Sequence, residues 1–126
     1  MSNFKLREDL SIEFLGRRLF RIEATCDIES RRVSKGNLGG YIEKESNLSG
    51  DAWVYGNAKV YGNAKVYGDA EVYGNAKVYG NAKVYGNAEV YGDAEVYGNA
   101  EVYGNAKVCG DAWVYDDAKV YGNAKV

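Results

Sequence analysis

The groups in this chain that could do chemistry are carboxylates, hydroxyls and two thiols, because histidine is absent from its 126 residues. Three pairs of acids stand eighteen residues apart: Asp51 and Asp69, Glu71 and Glu89, Asp93 and Asp111. If eighteen residues make one turn of a coil, each pair stacks. Two carboxylates with water would then offer a weak place for a hard cation such as calcium, which takes several oxygen ligands. Solvated acidic corners are the commoner outcome, and no cleft is implied in which paired acids could cleave a glycoside. No metal, cofactor or catalytic residue is therefore expected. A serine nucleophile needs a base beside it, and Ser2, Ser11, Ser30, Ser34, Ser46 and Ser49 have only carboxylates or amines within the chain's repertoire. Cys26 and Cys109 are too few for a secreted disulfide framework.

The elements that position these groups follow from one string, Val-Tyr-Gly-Asn/Asp-Ala-Lys/Glu, which recurs every six residues from Asp51 to Val126. Within a unit such as Ala58-Lys59-Val60-Tyr61 the side chains alternate with the period of two that marks a half-buried strand, Ala and Val sharing a face. Gly62-Asn63 then allows a corner, since both residue types tolerate left-handed backbone. An antiparallel hairpin would set Tyr61 opposite Ala64 and Val60 opposite Lys65, leaving neither face clean enough to bury. A bend at each corner keeps every Val and Ala inside and every Tyr and Lys outside. The spacing thus predicts an all-β parallel β-helix, a solenoid whose repeats bury their faces against one another. Three hexads close a triangular coil of eighteen residues. The inward aliphatic series Ile42, Leu48, Val54 and every sixth residue to Val126 then fills about five coils, stacked at about 4.8 Å into a rod of about 23 Å.

On these residues the chain resembles the hexapeptide-repeat, left-handed parallel β-helix family, in which a small residue follows an aliphatic one four positions later, as Ala64 follows Val60. The left hand is what the resemblance implies. The run Gly36-Asn37-Leu38-Gly39-Gly40-Tyr41-Ile42-Glu43, leading into Asn47-Leu48-Ser49, is similar to the lead-in of small hexapeptide-repeat proteins of phages and prophages. Acyltransferases and zinc carbonic anhydrases of the wider family rely on histidine, and the acyltransferases build a cleft from an extruded loop. This chain has neither feature, its hexads running uninterrupted from Leu48 onward. The resemblance leaves open an accessory role that blocks or redirects a host factor, including a defence system.

Residues 1–40 differ in kind from 41–126 and are expected to form an N-terminal cap on the β-helix domain. All three Phe and all six Arg lie in the first segment. Residues 12–24 read as a β-hairpin around Gly16 with Phe20, Ile22 and Ala24 on one face, and residues 3–10 admit a helix. Such a segment covers the first open coil, whose unpaired edge would otherwise invite association. Arg31, Arg32 and Lys35, beside a Gly-rich turn, form a candidate anion site, and a small-ligand binder or a divergent acyltransferase at this junction is the alternative function. The first ten residues contain no apolar core of signal-peptide length and no stretch suits a membrane span, so cytoplasmic residence is expected, in a host if the protein is phage-encoded.

The tyrosines are the most conspicuous outward feature. Stacking by eighteen places Tyr61, Tyr79, Tyr97 and Tyr115 on one face, Tyr67, Tyr85, Tyr103 and Tyr121 on the second, and Tyr55, Tyr73 and Tyr91 on the third. Such ladders shield the adjoining backbone, and Tyr61, Tyr79, Tyr97, Tyr67, Tyr85 and Tyr103 also offer a candidate partner surface. Nucleic acid is not expected, because 41–126 carries eight Lys against twelve acids, with Glu interleaved among the rings. Ice binding would want ranks of Thr, and Thr25 is alone. Residues 121–126 are still in the repeat, so the last coil is expected to present unpaired backbone groups. Trp113, Val114, Tyr115, Asp116, Val120, Tyr121 and Val126 are the candidate self-association surface of a homodimer. The function that follows is non-catalytic protein–protein contact.

Overall fold

The computed structural model describes residues 3–29 and 32–126. It is a parallel β-helix, with no α-helix among the described residues. Strand β1 (Phe4–Phe14) and strand β2 (Arg17–Ala24) form an antiparallel hairpin, and β2 pairs antiparallel with β3 (Leu38–Ile42). Strands β4 (Trp53–Val54) to β15 (Lys119–Val120) are then two-residue pairs of Lys, Glu or Trp with Val, one per hexad. They stack in parallel into three sheets, β1-β2-β3-β5-β8-β11-β14, β4-β7-β10-β13 and β6-β9-β12-β15.

The register is the one the eighteen-residue period demands. Ile42 pairs with Val60, Val60 with Val78, Val78 with Val96 and Val96 with Val114, so five levels stand in line. Every Ala of the hexads from Ala58 to Ala106, and every Val from Val54 to Val108, is shut off from solvent. Stacked rings stand 4.8 to 5.5 Å apart, the spacing of neighbouring strands.

The corner is more selective than the residue pair suggested. Gly86 takes φ +69°, and a Cβ there would stand 2.9 Å from the Gly104 nitrogen one coil on, so both conformation and space call for glycine. The Asn87 that follows is not left-handed. Its N–H instead continues the ladder to the Gly104 carbonyl at 2.8 Å, so parallel pairing runs on through the bend. Asp116 holds the glycine place in one corner and adopts φ 55° there.

The opening segment is strand where a helix was the alternative. Phe4 pairs with Ala24 and Leu6 with Ile22, and this alternation turns Phe4 and Leu6 toward the core, which a helical period would scatter. The hairpin does turn at Gly16, but its β1 arm begins at Phe4 rather than Ile12. Ile22 and Ala24 are buried as expected, whereas Phe20 is half-buried and its neighbour Leu19 is fully covered. Pairing between β2 and β3 shifts register between Arg21 and Glu23, and such an irregularity re-aims the side chains on either side of it.

Strand β3 joins the hairpin to the coil, pairing antiparallel on one side and parallel on the other. It passes so close to β4 that a Cβ on Gly39 would lie 2.5 Å from the Val54 carbonyl oxygen. Phe4, Ile22, Ala24, Ile28 and Val33 belong to the same apolar cluster as the coil valines, so hairpin and coil share one core. Trp53 sits in an outer slot, in register with Glu71, and is nevertheless buried in that cluster.

Candidate functional site

The tyrosine ladders form as the spacing requires. Tyr61, Tyr79 and Tyr97 stack nearly parallel at 4.9 and 5.0 Å, and Tyr115 follows at 5.5 Å. Tyr67, Tyr85, Tyr103 and Tyr121 do the same on the second face, and Tyr73 stacks on Tyr91 on the third. Tyr55 departs from the series, meeting Tyr73 edge-on at 85°. The two rings and Glu71 line a cavity of about 320 Å³.

Most ladder tyrosines are half-buried, and three of them are also tied at the hydroxyl. The Tyr73, Tyr79 and Tyr85 hydroxyls donate to Glu89, Glu95 and Glu101 at 2.7, 2.7 and 2.9 Å. Burial, followed by the hydrogen bond to an anion, raises all three phenols, Tyr85 to about 12 and the other two further. Glu89, one of the stacked acids, is thus already engaged by a phenol.

Tyr61 leaves the candidate partner surface altogether. The hairpin end lies over it, with Phe14 edge-on at 5.6 Å and the Arg17 guanidinium 5.8 Å from the ring centre, so only 5 % of it is exposed. Burial pushes its phenol up to about 12. Arg17 is held in turn by Glu43, which also accepts the Gly62 N–H at 2.8 Å. Tyr79, Tyr97, Tyr67, Tyr85 and Tyr103 remain half-exposed.

Corner amides make ladders of their own. The Lys44 ammonium donates to Asn63, Asn63 to Asn81, Asn81 to Asn99 and Asn99 to Asp117, at 3.0 to 3.4 Å. A cation thus heads the chain of donors and a carboxylate receives it. Asn47 closes the first coil from inside: fully buried, it accepts the Glu43 and Lys44 N–H groups and donates to the Gly62 and Ala64 carbonyls. A buried amide with all its bonds made rigidifies its surroundings.

The last level carries the exposed apolar surface. Trp113, Tyr115, Tyr121 and Val126 are 61 %, 48 %, 59 % and 48 % exposed, four of the six large exposed hydrophobics among the described residues. Strands β14 and β15 are the last of their sheets among the described residues, whereas β13 is continued by a parallel bridge from Lys107 to Lys125, with the Lys107 N–H donating to the Ala124 carbonyl at 2.9 Å. Of the candidate self-association residues, Val114 points into the core at 4 % exposure and Val120 is half-buried against it, whereas Asp116 is exposed. These two valines can contribute backbone edges but little side-chain contact.

At the candidate anion site, Arg31 lies outside the described residues, as do Ser2 and Ser30. Arg32, at φ 56°, and Lys35 are exposed on either side of Val33, which bridges to Ile28. Asp27 accepts the Lys35 N–H at 2.9 Å, so a carboxylate already takes one of the loop's donors. Among the described residues no three Cys, Asp or Glu gather as a metal centre would require, and both cysteines are free thiols. No described helix is long and apolar enough to cross a membrane.

Sequence reasoning missed Phe14, Glu43, Asn47 and Lys59 as organising residues. The signal available was composition: every Phe is confined to the first segment, where an aromatic has no ladder to join and must find another ring. No protein-family model matches this chain, and no curated protein matches it.

Proposed function

We propose that this chain is a non-catalytic β-helix that works by protein–protein contact, a small phage-encoded protein of the hexapeptide-repeat type. It blocks or redirects a host factor in the host cytoplasm, with a defence system as one candidate, and rests as a homodimer. The observation that carries the contact reading is the last level, where Trp113, Tyr115 and Tyr121 stand exposed on or beside β14 and β15, the last strands of their sheets. Aromatic side chains dominate the energetics of interfaces, and an open edge is a template for pairing. Below that level the rings are tied to glutamates and to one another, as a scaffold uses them. The phage assignment is supported by the lead-in at residues 36–49, and the non-catalytic one by the absence of histidine.

The test is capture from host lysate with three forms of the chain, alongside assays with acyl-coenzyme A donors and carbon dioxide. A specific partner should be held by the parent and by Tyr79→Ser/Tyr97→Ser, and lost from Trp113→Ser/Tyr121→Ser, with background turnover throughout. Turnover abolished by one repeat substitution, or capture indifferent to Trp113 and Tyr121, would contradict the reading.

A further inference from the structure

Three pairs of lysines stand in register on the outer faces of the coil, Lys59 on Lys77, Lys65 on Lys83 and Lys107 on Lys125; the first two pairs lie on regular strands. The repeat makes them equivalent; the hairpin does not. Lys65 and Lys83 are exposed, whereas Lys59 and Lys77 are half-buried beneath one ring, their ammonium nitrogens 5.1 and 5.9 Å from the centre of Phe14. The Tyr41 ring lies 5.8 Å from Lys59 on another side.

Neither ammonium has a carboxylate partner among the described residues. The acids that could have served are engaged elsewhere: Glu43 with Arg17 and the Gly62 N–H, Glu95 with the Tyr79 hydroxyl. Lys59 donates to the Asn57 carbonyl at 3.2 Å and is otherwise met by aromatic faces. Two positive charges are thus set one above the other and partly desolvated, with no ion pair to either among the described residues. Burial first, and Lys77 second, hold the Lys59 ammonium below its ordinary range.

We propose that Lys59 and Lys77, roofed by Phe14, bind a doubly charged oxyanion of the phosphate-monoester class. Two ammoniums match a dianion, whereas a single carboxylate would leave one of them uncompensated. Lysine binds phosphate as a point charge and needs no fixed fork geometry. Phe14 and Tyr41 give an organic substituent apolar and aromatic surface to pack against. A nucleic-acid strand fits poorly, because its phosphates are singly charged and the next outward residue in register beyond Lys77 is Glu95. The site stands on β5 and β8, toward the hairpin end of the sheet that finishes at Trp113, so it is independent of the contact surface proposed above.

The experiment is titration of the intact chain with inorganic phosphate and with phenyl phosphate near pH 8 at fixed ionic strength, by calorimetry and by amide chemical shifts. Saturable one-to-one binding is expected, with shifts centred on β5, β8 and the hairpin turn. Lys59→Gln/Lys77→Gln should weaken it by about tenfold or more, the loss of roughly one good charge-assisted contact. Lys65→Gln/Lys83→Gln should leave it unchanged, and Phe14→Leu should weaken phenyl phosphate more than phosphate. Lys77→Gln alone, which keeps the half-buried Lys59 in place, repeats the test should the double variant fold poorly. Acetate should bind more weakly than either phosphate. Equal losses in the two double variants, no saturable binding by the parent, or tighter binding of a single-stranded oligonucleotide would each overturn the proposal.

Discussion

At the scale of single residues, the coil spends its polar atoms on its own stack. Tyr hydroxyls meet glutamates of the next coil and corner asparagines pass donors upward, so the outer surface is cross-linked in the same direction as the backbone ladder. This has a pH signature. Tyr61 and Tyr85 are raised to about 12 by burial, so their neutral forms favour the fold. That stability is fully present below pH of about 10, where an unfolded tyrosine titrates, and is lost as the pH rises toward 12. Tyrosinate absorbance should therefore be completed only well above pH 10, its last part together with loss of strand signal, and full ionisation near pH 10 with the fold intact would contradict it. The corner glycines can be tested separately for conformation and space. Gly86→Ala meets both a left-handed φ and a close Gly104 nitrogen, whereas Gly110→Ala has the same sign of φ and open space. In chemical denaturation Gly86→Ala should cost about 1–3 kcal/mol, and Gly110→Ala less.

At the scale of elements, the repeat was legible and the cap was not. Each hexad must bury the same two side chains in the same way, so Val60, Val78 and Val96 announce both the strand and its register, and one interior charge should be ruinous. Val78→Asp would bury an unpaired carboxylate and is expected to lose several kcal/mol, seen as a large drop in melting temperature; melting like the parent would remove Val78 from the interior. The hairpin obeys no period. Its decisive contacts, Phe14 on Tyr61 and Arg17 on Glu43, join segments far apart in sequence and unlike in composition, so nothing local marks them. For the same reason the sequence presents Tyr61 as one ladder ring among equals, although the hairpin covers it, and the helix considered for residues 3–10 gives way to a pairing set by β2. Phe14→Ala should uncover Tyr61, returning its titration toward the ordinary tyrosine range while the coil above keeps its strand signal. An unchanged Tyr61 titration would argue that the hairpin does not shield it.

At the scale of the whole molecule the two ends are unlike. The hairpin, β3 and Asn47 share a core with the first coil at one end, while the last level presents Trp113, Tyr115 and Tyr121 on or beside β14 and β15. On the proposed reading this surface meets a second copy about a twofold axis, an isologous contact that closes as a dimer, or is taken by a host protein. The central claim is that this level is a contact surface, and the mass of the 126-residue chain in solution tests it most directly. Light scattering across micromolar concentrations should give about twice the 13.9 kDa of one chain, falling to one chain for Trp113→Ser/Tyr121→Ser with the fold retained. A parent that stays monomeric throughout that range, or a variant that remains dimeric, would contradict the account.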